Sequence, residues 1–203
     1  MMASTPEARV QDHLAALYGE ERAQRILPRL LERLSRFTER NPAFQGKARD
    51  PAELLTERDV FLITYGDQVA EPGRPPLRTL ADVLGETIAG VVSGVHLLPF
   101  FPYSSDDGFS VIDYTAVNPE LGTWADVEHL GRRFRLMFDA VINHISAESA
   151  WFRAFIGGDP RYERTFITVE PGTDLSDVVR PRARPLLTPV QTAQGEKLVW
   201  TTF

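Results

Sequence analysis

The stretch Gly94-Val95-His96-Leu97-Leu98-Pro99-Phe100-Phe101-Pro102-Tyr103-Ser104-Ser105-Asp106-Asp107-Gly108-Phe109 decides the fold. A short apolar run, Val95 to Leu98, breaks at Pro99 into a loop holding two carboxylates, a glycine and four aromatics. A buried parallel strand delivers polar groups and flat apolar surfaces into a pocket at its C-terminal end in this way. A second run, Leu136-Met137-Phe138-Asp139-Ala140-Val141-Ile142-Asn143-His144, follows one strand–helix unit later and ends in Asn-His. Two such deliveries in succession predict an α/β barrel that handles sugar or acyl groups.

Outward from these runs the pattern repeats. Strands are predicted over Val60–Tyr65, Val91–Leu98 and Leu136–Ile142, each almost wholly apolar. Helices are predicted over Thr79–Ile88, with Thr79 as N-cap, from Thr123 to about Phe134, and over Ser149–Phe155. Asp126 stands at the N3 position of a capping box begun by Thr123. Strand and helix in alternation predict a parallel sheet covered by helices. Before it, Val10 to Phe37 has helical periodicity, with Gly19 and Pro28 as the expected break points. This pair reads as an amphipathic cover or, alternatively, as a dimerisation arm. Asn41–Arg49 reads as a linker, giving a helical extension over 1–50 and the βα units over 51–156. Over 157–203 a lid-like inserted loop region, with three prolines between Arg180 and Pro189, leads to a returning strand at Leu198–Phe203.

Composition narrows the function classes. A net charge of −6 and a pI near 5.3 argue against a phosphate-neutralising nucleic-acid binder. No apolar run is long enough for a transmembrane helix, and Met1–Asp12 lacks the core of a signal peptide, so a cytoplasmic location is expected. The chain has no cysteine, which excludes thiolate chemistry and disulfides. His13, His96, His129 and His144 have no metal-ligand spacing, and no metal or organic cofactor is expected.

Asp139-Ala140-Val141-Ile142-Asn143-His144 resembles the Asp-x-x-x-Asn-His signature of glycoside hydrolase family 13, the α-amylase superfamily. Leu62-Ile63-Thr64-Tyr65-Gly66-Asp67, His96 to Phe101, Asp106 to Phe109 and Ile112-Asp113-Tyr114 are similar to its sucrose-phosphorylase-like branch. Within that branch, Ser104–Tyr114 and the preceding helices resemble the glucosylglycerate phosphorylases most. The resemblance runs from about Tyr18 to Phe203. It implies the N-terminal part of a (β/α)₈ barrel, about three βα units, and a retaining glucoside phosphorylase, a glycosyltransferase acting on an α-glucoside and inorganic phosphate. Glucosylglycerate is the first expected substrate, with sucrose or sucrose 6′-phosphate as the alternative.

By the same resemblance Asp106 is the carboxylate that pins a hydroxyl of the glucosyl ring. Phe109 is the apolar wall beneath the ring, and His144 donates to its 6-hydroxyl. Asp107 is expected to turn to the loop backbone, and Asp139 and Asn143 to support the loop. An Asp-Asp-Gly sequence standing alone would read as a solvated turn, and a lone histidine as a satisfied core residue. Arg182, with Arg180, is the candidate for an anionic acceptor or phosphate, against the reading of a solvated basic loop. The branch's nucleophilic aspartate and acid glutamate are expected beyond Phe203, so no catalytic residue is assigned in the chain. It is therefore expected to be inactive alone, as a truncated product or as half of a split barrel completed by a second chain. A homo-oligomer is a further option.

Overall fold

A computed structural model describes residues 5–42, 55–179 and 185–202. They divide into two compact units between residues 56 and 57. In the first unit, α1 (Pro6–Tyr18) begins with Thr5 Oγ1 accepting from the Ala8 amide at 3.2 Å and with Pro6 at its first position. Gly19, at φ 80°, ends α1 and starts α2 (Glu20–Arg40). The expected break at Pro28 does not occur. Pro28 and Gln24, whose carbonyl loses its helical donor, are both exposed, so water can replace the missing bond. The apolar stripe packs the two helices together with only Ala23 fully buried; Leu34 and Phe37 stay about half exposed. The linker expected over Asn41–Arg49 lies, from residue 43 on, outside the described residues.

The second unit opens with a parallel sheet of β1 (Phe61–Thr64), β2 (Gly94–Leu97) and β3 (Arg135–Phe138), in that order. Helix α3 (Pro76–Thr87) joins β1 to β2, and α4 (Trp124–Gly131) joins β2 to β3. The register aligns Phe61, Gly94 and Arg135 in one row and Ile63, His96 and Met137 in another. Side chains alternate across a strand. Val95 and Leu97 therefore point into a core with Leu77 and Leu80 of α3 and Val127 and Leu130 of α4. The other face carries the two rows just named, and there Ile63 is 62% exposed and Met137 43%. Gly94 is required by close approach, because a Cβ there would lie 2.3 Å from the Phe61 ring.

The strands are shorter than the apolar runs that predict them. Pro99 follows β2 closely, and β3 stops before Asp139, leaving Ile142 90% exposed. Helix α3 starts at Pro76 rather than at Thr79. Proline at the first helical position has its φ already set and needs no hydrogen-bond partner; Thr79 is instead buried within the first turns. The capping box at Thr123 is present, with the Asp126 carboxylate accepting from the Thr123 amide at 2.9 Å and its hydroxyl at 2.8 Å. Helix α4 ends at Gly131, short of Phe134, which turns into the core.

Helix α5 (Ala150–Ile156) is capped by Ser149, whose Oγ accepts from the Phe152 amide at 3.1 Å. The segment after it carries a small antiparallel sheet among its loops: β4 (Thr168–Val169), β5 (Leu187–Thr192) and β6 (Gly195–Trp200), in the order β4-β6-β5. The returning strand expected from Leu198 is β6, begun three residues earlier. Pro189 sits in β5, an edge strand, where a missing amide is tolerated. The Ala193 amide bonds the Ile156 carbonyl at 2.8 Å, and Lys197 lies over the Phe155 ring at 5.6 Å. These contacts dock the hairpin on α5.

Candidate functional site

The excursion after β2 is closed by a bridge between Tyr103 and Val111, with the Ser104 amide on the Ser110 carbonyl at 3.0 Å. At its tip, Asp106–Gly108 form one 3₁₀ turn in which all three residues have positive φ: 59°, 49° and 100°. Gly108 is needed there, since a Cβ would lie 2.8 Å from the Pro99 carbonyl oxygen. Asp106 and Asp107 tolerate the left-handed region better than most residues, yet each still costs of order 1 kcal/mol. Both are exposed, and among the described residues neither carboxylate has a hydrogen-bond or ion-pair partner. Asp107 was expected to turn to the loop backbone. It does not, because the left-handed turn directs the loop's own amides to the carbonyls of Ser105 and Asp106.

The four aromatics separate. Phe100 and Phe101 are core residues, stacked with centroids 4.6 Å apart, and Phe100 also meets Phe138 edge-on at 5.1 Å. Phe109 is half-buried against that core, while Tyr103 is exposed. Only the last two have surface to offer a ligand.

The segment after β3 is held by the excursion after β2. His144 Nε2 lies 3.0 Å from the Phe109 carbonyl, an acceptor only, so Nε2 carries the proton and donates. Asn143 Nδ2 completes the ring by donating to Nδ1 at 2.9 Å. Two expected site residues, Phe109 and His144, are thus brought into direct contact, three residues along from Asp106. Tyr114 donates from its hydroxyl to the Val141 carbonyl at 2.6 Å and the His144 carbonyl at 3.0 Å. Burial pushes the Tyr114 phenol up from its ordinary pKa. Ser146 is tied by its amide to Val111 at 2.9 Å and by its hydroxyl to Ser104 at 2.7 Å. Asp139 accepts from His96 Nε2 at 2.9 Å. The hydroxyl and amide of Thr115 hold the Asp113 carboxyl below its ordinary range, fixing the turn that presents Tyr114.

Tyr114, His96 and Ser104 stand within the quoted motifs, but neither they nor Ser146 carry an expected role at the site. Each joins residues about 30 to 45 positions apart, so no local signal could disclose them. Arg180 and Arg182 lie outside the described residues. Among the described residues no helix is long and apolar enough to cross a membrane, and no three His, Cys, Asp or Glu side chains are grouped to hold a metal ion.

Residues 90–185 match the family model "Alpha amylase, catalytic domain". The glucosylglycerate phosphorylase of Allomeiothermus silvanus is 55% identical over the whole of this chain and 35% of its own length. That of Spirochaeta thermophila is 51% identical over 98% of this chain and 34% of its own. The crystal structure of sucrose 6F-phosphate phosphorylase from Thermoanaerobacter thermosaccharolyticum superposes with a TM-score of 0.63 at 32% identity, covering 75% of this chain and 32% of that one. The chain thus spans about a third of the length of the curated relatives it matches. Residues 90–185 thus resemble the α-amylase catalytic domain, in a chain similar along its whole length to glucosylglycerate phosphorylases.

Proposed function

We propose that residues 57–203 supply the glucosyl-binding side of a retaining glucoside phosphorylase acting on glucosylglycerate. The carrying observation is the strained turn at Asp106–Gly108, whose two unpartnered carboxylates stand beside the Phe109–His144 contact. Backbone strain of this kind persists only where the surrounding structure over-determines it, and it clusters at active sites and ligand clamps. A carboxylate can accept two hydroxyl protons in strong charge-assisted bonds, which suits Asp106 to a sugar ring edge. Phe109 offers the ring an apolar surface. His144 Nε2 is the donor for a sugar hydroxyl, and since it now donates to Phe109, the hydroxyl must share or displace that carbonyl.

In a retaining scheme an aspartate attacks the anomeric carbon while a glutamic acid protonates the departing glycerate oxygen. Phosphate then displaces the aspartate and leaves with the glucosyl group as glucose 1-phosphate. Neither of those two carboxyl groups is among the residues assigned here; Asp106, Phe109 and His144 bind and orient. Arg182 is proposed for the anionic acceptor or phosphate. Identity that extends over the helices of the first unit favours glucosylglycerate over sucrose 6′-phosphate, whose phosphorylase aligns with three quarters of the chain.

Titration of the isotope-labelled chain with glucose tests the binding reading. Shifts should appear at Asp106, Phe109 and His144, and Asp106→Ala should abolish them. Alanine at the positions of the Allomeiothermus silvanus relative aligned with Asp106 and His144 should each cost kcat/KM about one to two orders of magnitude, the worth of an unpaired polar group of about 1–3 kcal/mol. Unchanged kinetics in both would return the two residues to structural roles.

A further inference from the structure

We infer that His96 is a positioning residue for His144, acting through Asp139. This rests on the reading of His144 as a sugar-binding group. His96 occupies the middle of β2 on the open face of the sheet, in a row with the apolar Ile63 and Met137. An aliphatic residue there would extend the strand's apolar run, and a polar one is unfavourable unless paired. Its pairing is specific: Nε2 to the Asp139 carboxylate at 2.9 Å, with the side chains 16% and 25% exposed. A carboxylate only accepts, so Nε2 holds the proton and the bond is charge-assisted.

Asp139 is the first residue beyond β3, where backbone pairing with β2 stops. From there to Ser146 the chain has no helix or strand, and its conformation depends on tethers. Tyr114 holds the carbonyls of Val141 and His144, Phe109 holds the His144 ring, and Val111 and Ser104 hold Ser146. All of these hydrogen bonds come from the excursion after β2, while Val141 packs into the core. The His96–Asp139 bond instead reaches a strand of the parallel sheet itself. It fixes where the segment leaves β3, and so where the imidazole stands relative to the strand ends.

The test uses the tautomer of His144. The chain has four histidines, so their imidazole ¹⁵N signals can be assigned by single substitutions. In the wild type His144 should show a fixed pattern, Nε2 protonated and Nδ1 bare. His96→Phe should average that pattern and speed amide exchange at Asn143–Ser146 about tenfold or more. His96→Gln, whose amide can donate to Asp139, should restore both. Asp139→Ala, at a less buried position, should reproduce the loss. An unaltered His144 pattern in His96→Phe and Asp139→Ala would overturn the inference. Global unfolding of both variants would overturn it equally, by assigning the pair to general stability. Glucose binding by the wild-type chain reports on the sugar-binding reading alone, so the two can fail separately.

Discussion

The two faces of the parallel sheet are built from the same twelve residues of β1, β2 and β3, yet they hold the molecule in different ways. Toward α3 and α4, Val95 and Leu97 are fully buried, and the core continues through Leu77, Leu80 and Leu130. On the opposite face Ile63 and Met137 remain open, and the specific contacts are Arg135 stacked 5.3 Å from the Phe61 ring and the His96–Asp139 bond. Apolar burial stabilises in proportion to the area removed from water. The helix-side face therefore carries the fold, and the open face carries placement of the loops at the strand ends.

The largest expected contrast comes from truncating one side chain on each face. Leu97→Ala should cost about 2–5 kcal/mol, the transfer loss plus a cavity that α3 and α4 cannot close. Ile63→Ala, one row away on the open face, should stay within about 0.5 kcal/mol. Urea denaturation followed by circular dichroism reads both. Equal losses would mean that the open face is packed in solution, and the comparison would break.

Asp126 sharpens the helix side. Its carboxylate accepts from both donors of Thr123 and from Arg78 Nε at 2.9 Å, joining the start of α4 to α3. Asp126→Ala should cost about 1–3 kcal/mol by leaving these donors unmatched. Burial alone would raise the Asp126 pKa, but the Thr123 and Arg78 bonds outweigh it and hold it below the ordinary carboxylate range. A carboxyl whose folded pKa is depressed adds stability that is fully present above its unfolded value, about 4. That stability is lost as pH falls through the folded value. The difference in thermal midpoint between wild type and Asp126→Asn should thus shrink below about pH 4. A constant difference down to pH 2 would show that the bonds do not depend on ionisation.

How far the sequence discloses this structure follows the same division. The βαβαβ order was legible because Leu62, Val95 and Leu136 sit in runs whose apolar character needs no partner to be recognised. The capping box was legible because Thr123 and Asp126 are three residues apart. The continuation of α2 through Pro28 was not, since it depends on which side of the helix meets water. The β5–β6 hairpin was obscured by Pro189, which reads against a strand until the strand is known to be an edge. At the candidate site, Asp106, Phe109 and His144 were named by resemblance, and the contact between Phe109 and His144 comes only with the fold. His96 has no metal-ligand spacing in the sequence, and its carboxylate partner lies 43 residues away.

Tyr114→Phe tests how firmly the loops depend on each other rather than on the sheet. It keeps the ring packed against Phe101 and Trp151, with centroids 5.9 and 5.8 Å away, and removes only the hydroxyl. Two carbonyls, of Val141 and His144, lose their shared donor, and about 0.5–1.5 kcal/mol should follow. Faster exchange of the amides around His144 should accompany it, with α3 and α4 unaffected. Exchange that rises evenly through the helices would show that Tyr114 supports the core instead.

The smallest effect on stability is expected from charging the open face itself. Ile63→Lys and Met137→Glu together place opposite charges two strands apart on either side of His96. Surface changes of this kind normally stay within about 0.5 kcal/mol, so the unfolding midpoint should barely move. Association should respond far more. Contiguous exposed apolar surface promotes self-association and binds hydrophobic dyes, and Ile63 and Met137 supply much of it on this face. The double variant should bind less dye and sediment closer to the monomer than the wild type at the same concentration. If dye binding is unchanged, the apolar surface in play lies elsewhere, and the exposed Ile142 and Val91 are further residues to charge. If stability falls by several kcal/mol instead, Ile63 and Met137 are buried in solution, and both faces of the sheet contribute to the core.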